Sequence, residues 1–150
     1  MLDKYINKSE LISIRRFLHE IPELSGEEYK TAEFIRQKLD EYGIEYSVVD
    51  NTGTVAIITG KDTGKTALVR ADIDALPVLE DNNLEYKSKN HGVMHACGHD
   101  IHTAVGIYVA KILNDFKDEF NGTVKIVFQP KEEGDGGAEG IINWGVMENP

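Results

Sequence analysis

Apolar residues recur at helical spacing in two stretches near the start of the chain. Leu11, Ile14, Phe17 and Leu18 predict a helix capped by Ser9 and ending before Pro22. Ser25 and Glu28 have the spacing of a capping box, and the positions after them (Ala32, Phe34, Ile35, Leu39) predict a second helix that stops at Gly43. The pattern then changes. Residues 44–49, 54–59 and 66–70 are short β-branched runs separated by Asn51-Thr52-Gly53 and by 60–64, which reads as strands joined by tight turns. Residues 123–128 (TVKIVF) form a further apolar strand, after which Pro130 stops pairing. Residues 103–116 carry a broad apolar face and predict a buried helix. A last helix opens at Gly136, Gly137 and Ala138, runs through Ile141, Ile142 and Trp144, and stops at Gly145. Trp144, Phe17, Phe34 and Phe128 fall at core spacings. Strands interleaved with helices predict an α/β fold, with helices packed on a mixed, mostly parallel β-sheet.

Composition fits one domain's worth of chain: 150 residues, 41% hydrophobic. The formal net charge of -10 argues against nucleic acid or an anionic membrane surface as partner. A single cysteine cannot form an intrachain disulfide, and the first residues lack a signal peptide's apolar core, so a cytoplasmic location is expected. The charges on the first two helices read as solvated surface. GKDTGKT lacks the spacing of a phosphate-binding loop.

Chemistry concentrates at 95–100, HACGHD, where the only cysteine, two histidines and a carboxylate fall within six positions. Thiolate, imidazole and carboxylate at that density suit a transition metal, and Gly98 lets the backbone fold closely around it. Cys97 and His99 are two apart, which belongs to a loop or strand end. The helix that follows would favour the thiolate form of Cys97. Glu132 and Glu133, at the C-terminal end of the 123–128 strand, are the expected other half. In extended backbone one would bind a cation while its neighbour faces a bound water. Asp72 and Asp74 share one side of a strand end and read equally well as solvated acids or as part of the site. His95 and His102 read as packing or supporting residues, Asp100 as a carboxylate that orients a histidine, and His19 and His91 as structural or solvent-facing.

Four motifs in order, RRFLHEIPELSGEEYKTAEFI, RADIDALP, MHACGHDIHTA and QPKEEGDGGAEGIINWG, resemble the M20 metallopeptidase/amidohydrolase family, in its aminoacylase-like subgroup with hippurate hydrolase. The resemblance implies a zinc-peptidase-like catalytic domain. It implies two divalent cations (zinc, manganese, cobalt or nickel), with Cys97 as a bridging thiolate and His99 and Glu133 as further ligands. It also implies Glu132 as general base, Asp74 supporting the site from behind, and His99 serving where the wider family places a histidine at position 72. The implied reaction is hydrolysis of the amide bond of N-acyl amino acids, small-molecule substrates. Members of the family are two to three times longer and bring two more histidine ligands and a lid domain. Residues 1–150 therefore correspond to the N-terminal portion of a truncated catalytic domain, expected to have little or no activity alone. Self-association is expected only through the lid domain or an exposed sheet edge. Two other readings stand beside this one: a non-catalytic module that binds metal or a partner, and a hydrolase using Cys97 as nucleophile with His95 or His99 as base.

Overall fold

A computed structural model of the chain describes residues 5–134 and 136–148. Its elements run α1 (Lys8–Glu20), α2 (Tyr29–Glu41), β1 (Glu45–Val49), β2 (Gly53–Thr59), β3 (Thr66–Asp72), α3 (His99–Asp115), β4 (Thr123–Gln129) and α4 (Gly137–Asn143). The strands form one sheet in the order β1-β2-β4-β3. The sheet is mixed as expected, but parallel pairing is confined to β3–β4, while β1–β2 and β2–β4 are antiparallel. The cause is the short turn between β1 and β2, which can only return the chain antiparallel, whereas α3 carries it from β3 to β4 in the same direction.

Alternation along the strands splits the core in two. Ala56, Ile58, Ala71, Ile126 and Phe128 face Ile14, Leu18, Ile35, Leu39, Ala104 and Ile107 of α1–α3. Val55 and Val127 point to the opposite face, where Ile141 and Val146 cover them. Close packing of α3 on the sheet depends on Gly106, where a Cβ would meet Phe128 at 2.8 Å and the Ala71 Cβ at 3.1 Å. β3 is an edge strand, with Leu68 and Val69 exposed. Phe128 is buried as expected, but Phe17 and Trp144 are exposed at 43% and 61%, so their spacing does not place them in the core.

Three helix starts differ from expectation, the first being α3, which begins at His99 and not at 103 and so takes His99 out of the expected loop. α1 is capped by Asn7, whose side chain accepts from the Glu10 amide, in place of Ser9. α2 begins at Tyr29, and Glu28, at its N-cap position, makes no side-chain cap hydrogen bond. Its carboxylate is turned inward and fully buried.

Candidate metal centre

β3 and β4 are parallel neighbours with Asp72 opposite Gln129, so their C-terminal ends open at the same edge of the sheet. That register brings Asp72 and Asp74 beside Glu132 and Glu133, some 60 positions later in the chain. The loop before α3 delivers the HACGHD residues to the same edge. Gly98 is the N-cap of α3 in the left-handed conformation (φ 81°), which turns the chain between Cys97 in the loop and His99 at the first helical position.

Cys97 Sγ, a ring nitrogen of His99 and a carboxylate oxygen of Glu133 all lie within 4.8 Å of one another. His99 Nδ1 is held by the Asp74 carbonyl at 3.0 Å and Asp74 Oδ1 at 3.1 Å. Its Nε2 therefore faces the glutamates, 4.0 Å from Glu133 Oε1 and 3.8 Å from Glu132 Oε2. Glu133 Oε1 is buried and has no hydrogen-bond partner among the described residues. A nitrogen and an orphaned carboxylate oxygen 4.0 Å apart are too distant to bond each other, and two metal–ligand bonds of ~2.1 Å at a tetrahedral angle, which put donor atoms ~3.4 Å apart, would need only a small inward shift of the pair. The donor set and its spacing fit a divalent cation.

Asp74 is the centre of the support. Its Oδ2 accepts from Ser25 Oγ at 2.6 Å and from the Glu133 amide at 2.9 Å, while Oδ1 faces His99. Burial pushes its pKa up, but the hydrogen bonds from His99, Ser25 and the Glu133 amide outweigh that and bring it down to about 2. The hydrogen bond to Asp74 in turn raises His99, against the opposing effect of burial. The thiol of Cys97 behaves contrary to the expectation of a dipole-favoured thiolate. Cys97 is exposed, and its proximity to the Glu133 carboxylate, followed by the charges of Glu133, Glu132 and Asp74, pushes it up. Three carboxylates outweigh one helix terminus, so a cation is what would release this proton.

Glu132 and Glu133 do sit past the end of β4, but their backbone is not extended. Lys131 is left-handed (φ 58°), so the two carboxylates are aimed by a turn and not by strand alternation. Glu132 is partly exposed beside Arg70, 4.0 Å away. Asp72 pairs with Arg70 and, at 3.4 Å, with His102. Asp72, His99 and His102 also converge within 4.8 Å, but the Arg70 guanidinium on Asp72 occupies that carboxylate with a positive charge.

Asp100 does face a histidine, as its place in the motif leads one to expect. That histidine is His19, whose Nδ1 lies 2.6 Å from Asp100 Oδ2 and whose Nε2 lies 3.0 Å from Glu80 Oε1. His19 is buried, not solvent-facing. Arg15 reaches the same Asp100 oxygen at 2.8 Å. His95 is buried and, among the described residues, has no well-formed hydrogen bond at either ring nitrogen; burial lowers its pKa to about 4. His91 is exposed.

Residues 68–150 match the family model described as peptidase family M20/M25/M40. The chain is 45% identical over 143 residues to an N-acyl-L-amino acid amidohydrolase of Geobacillus stearothermophilus, covering 94% of this chain and 39% of that protein. It is also 45% identical over 142 residues to a hippurate hydrolase of Campylobacter jejuni, covering 94% of this chain and 37% of the relative. The crystal structure of the Bacillus subtilis YXEP protein, a dinuclear metal binding peptidase from the M20 family, superposes with a TM-score of 0.91 at 47% identity, over 93% of this chain and 40% of that one. The chain thus spans about two-fifths of the length of these relatives.

Proposed function

Because the chain belongs to peptidase family M20/M25/M40, we propose that it carries the metal-holding N-terminal portion of a catalytic domain that hydrolyses the amide bond of N-acyl amino acids. The observation that carries the reading is the buried, unpartnered Glu133 Oε1 facing His99 Nε2 and the Cys97 thiol. The relatives named for N-acyl amino acid and hippurate hydrolysis support the substrate class.

Cys97, His99 and Glu133 would hold the cation, with zinc, manganese, cobalt and nickel all compatible with a thiolate, imidazole and carboxylate set. Bound there, it would polarise the substrate carbonyl and lower the pKa of water. Glu132, partly exposed and 3.8 Å from His99 Nε2, is the general base: it takes the proton of the attacking water and hands it to the leaving amine. Asp74 fixes the tautomer and orientation of His99, leaving Nε2 directed at the site. The net charge of -10 disfavours nucleic acid or an anionic membrane surface as partner, and no described helix is long and apolar enough to cross a membrane.

A cysteine-nucleophile mechanism requires a lowered thiol pKa, and Glu133 pushes Cys97 the other way. The test is a chimera in which these residues replace the matching part of the Geobacillus stearothermophilus relative. The reading predicts metal-dependent deacylation of N-acetyl amino acids or hippurate. Glu132→Gln should lower turnover by ~10²–10⁴-fold while metal is retained. A folded, metal-loaded chimera that cleaves neither substrate would refute it.

A further inference from the structure

Glu28 is a fully buried carboxylate that no step of the proposed reaction uses. Its Oε1 accepts from two backbone amides, Gly26 at 2.8 Å and Lys131 at 2.9 Å, and its Oε2 accepts from Thr52 Oγ1 at 2.9 Å. Those donors belong to three separate loops: the entry to α2, the β1–β2 turn and the segment that carries the paired glutamates. Lys131 is one of only a few non-glycine residues with positive φ among those described. A left-handed lysine is strained by its Cβ and persists only when its surroundings fix it. Here they do so from several sides. The Lys131 side chain reaches Asp50 Oδ2 at 2.8 Å, and the backbone at Gly137 packs so closely that a Cβ there would lie 2.6 Å from the Lys131 carbonyl oxygen.

Ser25, three residues before Glu28, holds the same loop on its other side. Besides donating to Asp74, which accepts from the Glu133 amide, it abuts Gly134, where a Cβ would meet the Ser25 Cβ at 2.8 Å. Glu132 and Glu133 are therefore gripped immediately before and immediately after by one short segment of the chain.

We propose that Glu28 is a positioning residue for the site: its buried carboxylate anchors the Lys131 amide in the left-handed turn that aims Glu132 and Glu133 toward His99 and Cys97. The inference rests on the metal-centre reading for its consequence, but not for the anchoring itself, so two readouts separate them. The first is amide hydrogen exchange by NMR on the 150-residue chain. The second is Co²⁺ binding, read by the thiolate-to-cobalt absorption of Cys97 and by competition with a chelator.

Glu28→Ala is expected to speed exchange of the Lys131 amide at least ~10-fold while sheet and α3 amides keep their protection. It should also weaken Co²⁺ by ~10–100-fold, as loss of a residue supporting metal ligands typically does. Glu28→Gln is expected to restore both, because an amide oxygen can accept from Gly26 and Lys131 while its NH₂ donates to Thr52 Oγ1. If Glu28→Ala does not fold, Glu28→Asp keeps the charge but withdraws the oxygen by one methylene, and should show the same two losses. Unchanged Lys131 exchange in a folded variant overturns the proposal, as does a glutamine variant as impaired as the alanine one. If the unsubstituted chain binds no Co²⁺, the metal-centre reading fails, and the exchange result still decides for or against the anchoring.

Discussion

Asp74 accepts from Ser25 Oγ and the Glu133 amide through Oδ2 and holds the His99 ring through Oδ1. An asparagine can offer only one acceptor end, and whichever way it turns, its NH₂ opposes a donor. Asp74→Asn should therefore weaken zinc or cobalt binding by ~10–100-fold, measured by chelator competition, with the fold retained in circular dichroism. Full-strength binding by the variant would show that His99 needs no such orientation. At this scale the candidate ligands were legible because thiol, imidazole and carboxylates cluster locally in HACGHD and KEEG. The capping-box reading of Glu28 fails because i,i+3 spacing after Ser25 is all a sequence shows of such a box. It does not show that the chain stays out of the helix until Tyr29 and turns the carboxylate inward. His19 was hidden for a related reason: both carboxylates that sandwich it come from far along the chain.

Between elements, α3 is the piece whose seating matters most, since its first turn bears His99 and its middle lies on β3 and β4. Gly106→Ala sets helix propensity, ~1 kcal/mol in favour of alanine, against a Cβ 2.8 Å from Phe128. Overpacking at a buried helix–sheet contact costs ~1–3 kcal/mol, so chemical denaturation should show a net loss of stability. A more stable variant would mean that the helix lifts freely.

At its other end α3 is tied to α1 and α2 through Glu10, which accepts from Lys111 at 2.7 Å, Tyr42 at 2.8 Å and Tyr108 at 3.2 Å. The Lys111 hydrogen bond is the chief cause of the lowered pKa of Glu10, with burial opposing it. A carboxyl with a depressed folded pKa adds stability above its ordinary value of 4.5, and that stability is lost as pH falls through the folded value. Glu10→Gln should thus cost ~1–2 kcal/mol at neutral pH, with the gap to the unsubstituted chain closing as pH drops below 4.5. A gap independent of pH would place the effect in packing alone. The elements and their order were legible from periodicity, whereas the starts of α1, α2 and α3 were not, because capping side chains and tight turns set them. The share of parallel pairing was not, because strand order depends on which edges meet in space, and β4 inserts between β2 and β3.

For the molecule as a whole, one topological fact assembles the site. Strand β4 lies parallel to β3, so acids some 60 positions apart in the chain open at one sheet edge, and α3 arrives there with the loop bearing Cys97. The N-terminal motif, which composition and periodicity present as two packing helices, is the buttress of that edge through Ser25 and Glu28. The opposite face is less complete: Leu68, Ile142, Trp144 and Met147 are exposed on and around β3 and α4. Cys97, His99 and Glu133, with Glu132 as the proposed base, nevertheless converge at this edge. The central claim is that this edge is a preformed metal site, and ion content tests it most directly. The purified chain, loaded with zinc or manganese and freed of excess, should retain about one ion per chain, and Cys97→Ala prepared alongside should retain none. A folded chain that keeps no ion, or a Cys97→Ala variant that keeps as much as the unsubstituted one, would contradict it.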